Sequence, residues 1–171
     1  LSENKKLFLE LRLFNDGIAF RYIIPNQKSI EKYDVIDEIT EFNLSENDSA
    51  WWTPAFSYRR YEFLYANTKI DDISKKKYSK LVEDILYDSI GIDAAQTPLT
   101  IKKNNGLFLS IHEAKLVDYS SMTLAPRGNG KLECELYPWS DGIKVKLKDK
   151  VITPWRTIQI ADSSSKLLNS N

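Results

Sequence analysis

Residues 7–24 read Leu7-Phe-Leu-Glu-Leu-Arg-Leu-Phe-Asn-Asp-Gly-Ile-Ala-Phe-Arg-Tyr-Ile-Ile24, and their reading decides the fold class. Leu7, Leu9, Leu11 and Leu13 fall on one face by strict alternation, the two-residue period of a β-strand. Asn15-Asp16-Gly17 follows, and Asp-Gly tolerates the positive φ that a tight reversal needs. Ile18 to Ile24 then run back until Pro25, which has no N–H to give a ladder. The stretch predicts a hairpin with its tip at Asn15-Asp16-Gly17. Residues 98–112 carry the same signal, with Asn104-Asn105-Gly106 as the turn.

Working outward, residues 33–42 are a third strand candidate, with Val35 and Ile39 inside a polar segment. Further strands are expected at 121–125, 131–137, 143–147 and 155–161, separated by Gly, Asn, Asp and Pro. Hairpins in succession without βαβ alternation predict a mainly β, antiparallel sandwich or barrel. One segment departs from this. Ile73, Leu81, Val82, Ile85 and Leu86 fall at helical spacing, which predicts a short helix around 72–89. Asp71 or Asp72 is a candidate cap and Gly91 a candidate end, while Lys75, Lys76, Lys77 and Lys80 read as a solvated face. Residues 163–168 open another helical turn.

The 171 residues suit one domain, long enough to bury a core without a disulfide or metal staple. Lys+Arg and Asp+Glu are equal at 24 each, which removes the electrostatic footprint of a nucleic-acid binder. No apolar run approaches the length of a membrane-spanning helix. Neither nucleic acid nor membrane is therefore expected as a partner. Cys134 is the lone cysteine, so no internal disulfide can form. The chain opens at Leu1 with no leader pattern, already close to a strand, and reads as a piece of a longer protein.

Several enzyme signatures are excluded. His112-Glu113 is not a zinc-protease helix, because Leu116 stands where a second His is needed and the chain has no other His. Any Ser-His-Asp or Cys-His arrangement would have to use His112. Gly128-Asn129-Gly130 lacks the Gly-Lys-Ser/Thr of a phosphate cradle. Asn43-Leu44-Ser45 and Asn47-Asp48-Ser49 match a glycosylation sequon, a pattern short enough to arise by chance.

The densest unusual stretch is 50–65, Ala50-Trp-Trp-Thr-Pro-Ala-Phe-Ser-Tyr-Arg-Arg-Tyr-Glu-Phe-Leu-Tyr65. Flat aromatic faces beside Arg59, Arg60 and Glu62 suit sugar rings, whose C–H faces stack while hydroxyls seek fixed polar partners. Trp51, Trp52 and Tyr61, with Tyr58, are the candidate substrate-binding residues. The same composition suits a core strand and loop, and composition alone does not separate the two.

Four blocks, in order, resemble the N-terminal domain of glycoside hydrolase family 97, a bacterial α-glucosidase and α-galactosidase family. They are Arg12-Leu-Phe-Asn-Asp-Gly-Ile-Ala-Phe-Arg-Tyr22; Ala50-Trp-Trp with Tyr61-Glu62 downstream; Leu107-Phe-Leu-Ser-Ile-His-Glu-Ala-Lys-Leu-Val-Asp-Tyr-Ser120; and Thr153-Pro-Trp-Arg-Thr-Ile158 with Ala161-Asp162. Residues 69–96 have no clear match. The resemblance implies that 1–171 is most of an N-terminal β-super-sandwich, with further strands before Leu1 and after Asn171. It implies a catalytic (β/α)8 barrel elsewhere in the same polypeptide, holding the catalytic carboxylates, so that none is expected here. It also implies calcium as a cofactor, with Glu62 as the one metal ligand this domain supplies. Calcium takes 6–8 oxygen ligands, so a lone glutamate would hold it weakly if at all. The parent is expected to act on oligosaccharides and to be periplasmic or otherwise exported. Two rivals remain open: a free-standing carbohydrate-binding β-sandwich module without hydrolase activity, and a purely structural sandwich. No catalytic role is assigned to His112 and Glu113.

Overall fold

The computed structural model describes residues 5–27, 30–55, 62–81 and 92–170. Both expected hairpins are present. β1 (Phe8–Phe14) and β2 (Gly17–Ile24) pair antiparallel from Phe8↔Ile23 to Phe14↔Gly17. β8 (Leu99–Lys102) and β9 (Phe108–Ala114) flank the second turn, where Gly106 has φ +91° and donates its N–H to the Lys103 carbonyl. The remaining strands are β3 (Lys32–Val35), β4 (Glu41–Asn43), β5 (Ser49–Trp52), β6 (Ala66–Lys69), β7 (Ala95–Gln96), β10 (Met122–Pro126), β11 (Lys131–Leu136), β12 (Val145–Lys148), β13 (Val151–Ile152) and β14 (Trp155–Ala161).

An eight-stranded sheet runs β1-β2-β14-β9-β8-β5-β6, with β13 alongside β2. A four-stranded sheet, β4-β11-β10-β7, and the pair β12-β3 complete the architecture, and every pairing is antiparallel. The core sits between the two larger sheets. Alternate residues of β5, β8 and β9 (Ala50, Trp52, Leu99, Ile101, Leu109, Ile111) cluster with Phe42, Met122, Leu124, Leu132, Cys134 and Leu136 of the smaller sheet. This is a β-sandwich, with period-2 alternation selecting the inner face.

Two sequence expectations change. Residues 33–42 are not one strand: β3 joins β12, β4 joins β11, and 36–40 break between them. The break turns Glu38 into the interior and leaves Ile36 and Ile39 exposed. Neither Asp71 nor Asp72 caps the helix α1 (Lys75–Leu81). Ser74 Oγ accepts from Lys77 N–H at 3.2 Å and Asp93 Oδ1 from Lys75 N–H at 2.9 Å. Asp71 instead lies in a 3-10 turn (Ile70–Asp72) and accepts from Gly130 N–H, tying that turn to the β10–β11 hairpin. Val82, Ile85, Leu86 and Gly91 lie outside the described residues. The helical turn α2 (Ser164–Leu168) forms as expected, capped by Ser163.

The alternation of β1 correctly gives a strand, but its leucines are not covered by the smaller sheet. Leu9, Leu11 and Leu13 are 56%, 56% and 80% exposed.

Asp48 joins the turn before β5 to the β8–β9 hairpin. It is buried, and its carboxylate accepts from Lys103 Nζ at 2.8 Å, Asn104 N–H at 2.9 Å and Ser45 N–H at 3.0 Å. Burial pushes its pKa up, but the Lys103 bond and the two N–H bonds outweigh this and hold it below the ordinary value. A depressed folded-state pKa gives stability that is present above the unfolded pKa and lost as pH falls through the folded one. Asp48→Asn should cost about 1–3 kcal/mol at neutral pH. Urea unfolding should show that gap closing below about pH 4, where wild-type Asp48 also becomes protonated on unfolding.

Candidate functional site

The period of β5 separates the two tryptophans of the aromatic block. Trp52 points inward and is 1% exposed; its Nε1 donates to Thr68 Oγ1 at 3.0 Å, and its ring lies 5.6 Å from that of Tyr78. A ring so enclosed offers no face to a sugar, so Trp52 belongs to the core. Trp51 points to the opposite side, half-buried, and stacks on Phe108 with centroids 6.3 Å apart and planes 20° apart. Tyr58, Arg59, Arg60 and Tyr61 lie outside the described residues.

Glu62 is exposed. The segment carrying it is anchored from below by α1. Tyr78, fully buried, donates its hydroxyl to the Leu64 carbonyl at 2.8 Å, and Phe63 meets the Tyr78 ring edge-on at 6.0 Å. Leu64 and Tyr65 beside it are 69% and 64% exposed. The helix predicted around 72–89 thus holds the 62–65 segment in place through Tyr78. Tyr78 carried no signal in the sequence beyond its position inside a lysine-rich helix.

The strongest polar arrangement is elsewhere, and sequence reasoning missed it. Arg156 on β14 is 0% exposed and lies directly opposite Glu113 on β9. Its Nε and Nη2 donate to the two Glu38 oxygens at 2.8 and 2.7 Å, and Nη1 donates to Glu113 Oε2 at 2.7 Å. The remaining carboxylate capacity is met by Thr40 Oγ1 and Tyr119 Oη on Glu38, each at 3.0 Å, and by Met122 N–H on Glu113 at 3.0 Å. Burial opposes the Arg156 charge, but its bonds to Glu38 and Glu113 hold its pKa above the ordinary range. Burial, reinforced by Glu38, pushes the Tyr119 phenol far above its usual pKa, so it stays a donor. These two carboxylates are enclosed and committed to Arg156, so they cannot serve as an acid–base pair on a sugar.

His112 faces the other way. It lines a cavity of about 370 Å³ on the outer face of the large sheet, with Arg12, Trp155, Thr157 and Gln159. Burial lowers its pKa against the opposing pull of Glu113, and its Nδ1 finds no hydrogen-bond partner among the described residues. Trp155 nearby is overlaid by the guanidinium groups of Arg12 and Arg21, 4.5 and 4.4 Å from its ring centre. The adjacent His-Glu pair therefore splits across the sheet, with Glu113 satisfied inside and His112 outside. Among the described residues, no group of three or more His, Cys, Asp or Glu side chains could hold a metal ion.

A family model, the N-terminal domain of glycosyl hydrolase 97, matches residues 1–171, and the chain belongs to that family. Among solved structures, it is similar to a glycoside hydrolase family 97 enzyme from Pseudoalteromonas sp. strain K8 in complex with acarbose. The TM-score is 0.82 at 35% identity, covering 96% of this chain and 22% of that one. The E480Q form of that enzyme in complex with panose matches equally, again over 22% of its chain. A β-arabinopyranosidase shares the fold, with a TM-score of 0.75 at 21% identity over 94% of this chain and 26% of that one. The chain thus spans about a fifth to a quarter of the length of these enzymes.

Removing Arg156 would leave two carboxylates buried without their counter-ion. Arg156→Met should destabilise the fold by about 3–5 kcal/mol in urea unfolding. Arg156→Lys should recover little of this, because an ammonium cannot span both carboxylates as the guanidinium fork does.

Proposed function

We propose that this chain is the non-catalytic N-terminal portion of a calcium-dependent α-glycosidase, an α-glucosidase or α-galactosidase acting on oligosaccharides. In this reading it packs on a catalytic (β/α)8 barrel of the same, exported polypeptide. The observation that carries it is the family model's match over residues 1–171, with 96% of the chain matching a family 97 enzyme more than four times as long. That enzyme was solved with acarbose and, as a variant, with panose, both oligosaccharides. The exposed leucine row of β1 supports a chain that continues its packing against further parts of a polypeptide.

In this reading the calcium site is shared between domains, with one donor coming from this one. Calcium needs 6–8 oxygens, and no multidentate cluster exists among the described residues. Glu62 is an exposed carboxylate on a segment fixed by Tyr78, which is what a ligand offered across a domain interface requires. Bound calcium would supply positive charge that orients carboxylates and sugar hydroxyls as charge develops at the anomeric carbon. Glu62 contributes its charge and position, and Tyr78 contributes the position of Glu62.

In the intact parent, Glu62→Gln keeps the shape and removes one negative charge. Calcium affinity should fall about tenfold or more with folding unchanged, and added calcium should recover part of the lost activity. A calcium dependence identical to wild type would overturn the assignment. The chain by itself should not turn over nitrophenyl α-glucoside or α-galactoside, because both stereochemical routes need a positioned carboxylate pair. Turnover that survives repeated purification would show that the catalytic groups lie in these residues.

A further inference from the structure

The turn after β11 displays a largely uncovered tryptophan, with Lys146 Nζ over its ring 5.9 Å from the centroid. Trp139 is 63% exposed, yet its backbone is fixed on both sides. Its N–H donates to the Ile143 carbonyl at 2.8 Å, and its carbonyl accepts from Gly142 N–H at 2.9 Å, with Gly142 at φ +85°. Asp141 Oδ1 accepts from Ile143 N–H, and its other oxygen pairs with Lys146. A turn that holds a large aromatic ring out in water gains little for the fold beyond the Lys146 contact, since most of the ring's area remains hydrated.

Beside the ring lies a cavity of about 590 Å³, walled by Tyr137, Asp118, Ser120, Lys144, Lys146 and Lys148. That volume lies within the range of small-molecule sites. Its far rim is the 115–120 loop, where Lys115 and Asp118 adopt positive φ of 58° and 50°, a conformation costly for residues with a Cβ. The wall is braced from behind. Ser120 Oγ donates to the Tyr137 carbonyl at 2.7 Å, and the Tyr137 hydroxyl accepts from Gln96 Nε2 at 3.0 Å.

The charges select the ligand class. Lys144 is matched by Glu135 at 2.8 Å and Lys146 by Asp141, which leaves Lys148 and Asp118, one charge of each sign, among the lining residues. The lining carries three lysines against Asp118, but a phosphate or sulfate site would hold its cations unpaired, and here Lys144 and Lys146 are already taken by carboxylates outside the lining. A flat ring beside donors and acceptors whose lysines are mostly ion-paired is suited to a neutral polyol. We propose that this cleft binds a neutral oligosaccharide, one sugar ring stacking on Trp139 while Asp118 and Lys148 engage its hydroxyls. The proposal takes from the function argued above only the choice of sugars to test.

The test uses the intact parent polypeptide labelled with 5-fluorotryptophan, the Trp139 resonance being assigned by its loss in Trp139→Phe. Panose, maltotriose and raffinose are titrated in turn, with inorganic phosphate and sulfate as charged controls. At least one neutral sugar should shift the Trp139 resonance saturably at millimolar concentration, and Asp118→Ala should weaken that response about tenfold. A resonance unmoved by all three sugars overturns the proposal, as does a response confined to the anions. Closure of Trp139 to acrylamide quenching in the parent also overturns it, because the ring is then an inter-domain contact. Turnover of aryl α-glycosides with a silent Trp139 would remove this site and leave the hydrolase reading standing. A responsive Trp139 in a parent without turnover would do the reverse.

Discussion

The sandwich depends on one buried cation. Arg156 reaches from the large sheet to Glu38, in the break between β3 and β4, and to Glu113 on the neighbouring strand. Enclosing two carboxylates and one guanidinium is expensive, and a net negative charge remains after pairing. The cost is offset by saturation: the guanidinium forks onto Glu38, and Thr40, Tyr119 and Met122 supply the other donors. The return is positional. Because Arg156 and Glu113 face each other directly, a one-residue slip of β14 on β9 would turn Arg156 to the outer face and strand both carboxylates. The same contact fixes the distance between sheets, since Glu38 approaches from the opposite layer.

That network also explains where sequence reasoning succeeded and where it failed. The β1–β2 and β8–β9 hairpins were legible because alternation and Asn/Asp-Gly turns are local signals carried by adjacent residues. The break in 33–42 was not legible. Val35 and Ile39 imitate a strand, while the actual determinant is Glu38 meeting an arginine 118 residues away. The helix cap failed for a related reason. Asp71 and Asp72 look like capping residues, but Gly130, distant in sequence, claims Asp71, and Ser74 takes over the cap. Local chemistry predicts what a residue can do, and long-range partners decide which of those things it does.

The candidate site shows the same division. Glu62 stands out in the sequence as a carboxylate set among aromatic residues, and the structure leaves it exposed. The two adjacent tryptophans looked equivalent in composition, yet a strand must send neighbours to opposite faces, so Trp52 is interior and Trp51 half-buried. Trp139 drew no attention in the sequence because it stands alone. Its interest comes from the fixed turn beneath it and the cavity beside it, which composition cannot show.

The leucine row of β1 has a consequence for how such a polypeptide is made. Among the described residues, β1 pairs with β2 alone, so one edge of its backbone is open beside three exposed leucines. An edge of this kind is a template for another strand, whether from the same chain or from a neighbouring molecule. Glu10 and Arg12 alternate with these leucines on the opposite face of the strand, and Lys5 and Lys6 precede it, four charges flanking the row as gatekeepers against such pairing. They make the strand tolerable during synthesis without closing its edge. If further parts of the polypeptide cover β1, as proposed above, the interval between folding this sandwich and that covering is the period of greatest exposure to aggregation. Chaperone demand should therefore be set by that interval more than by the stability of the finished core.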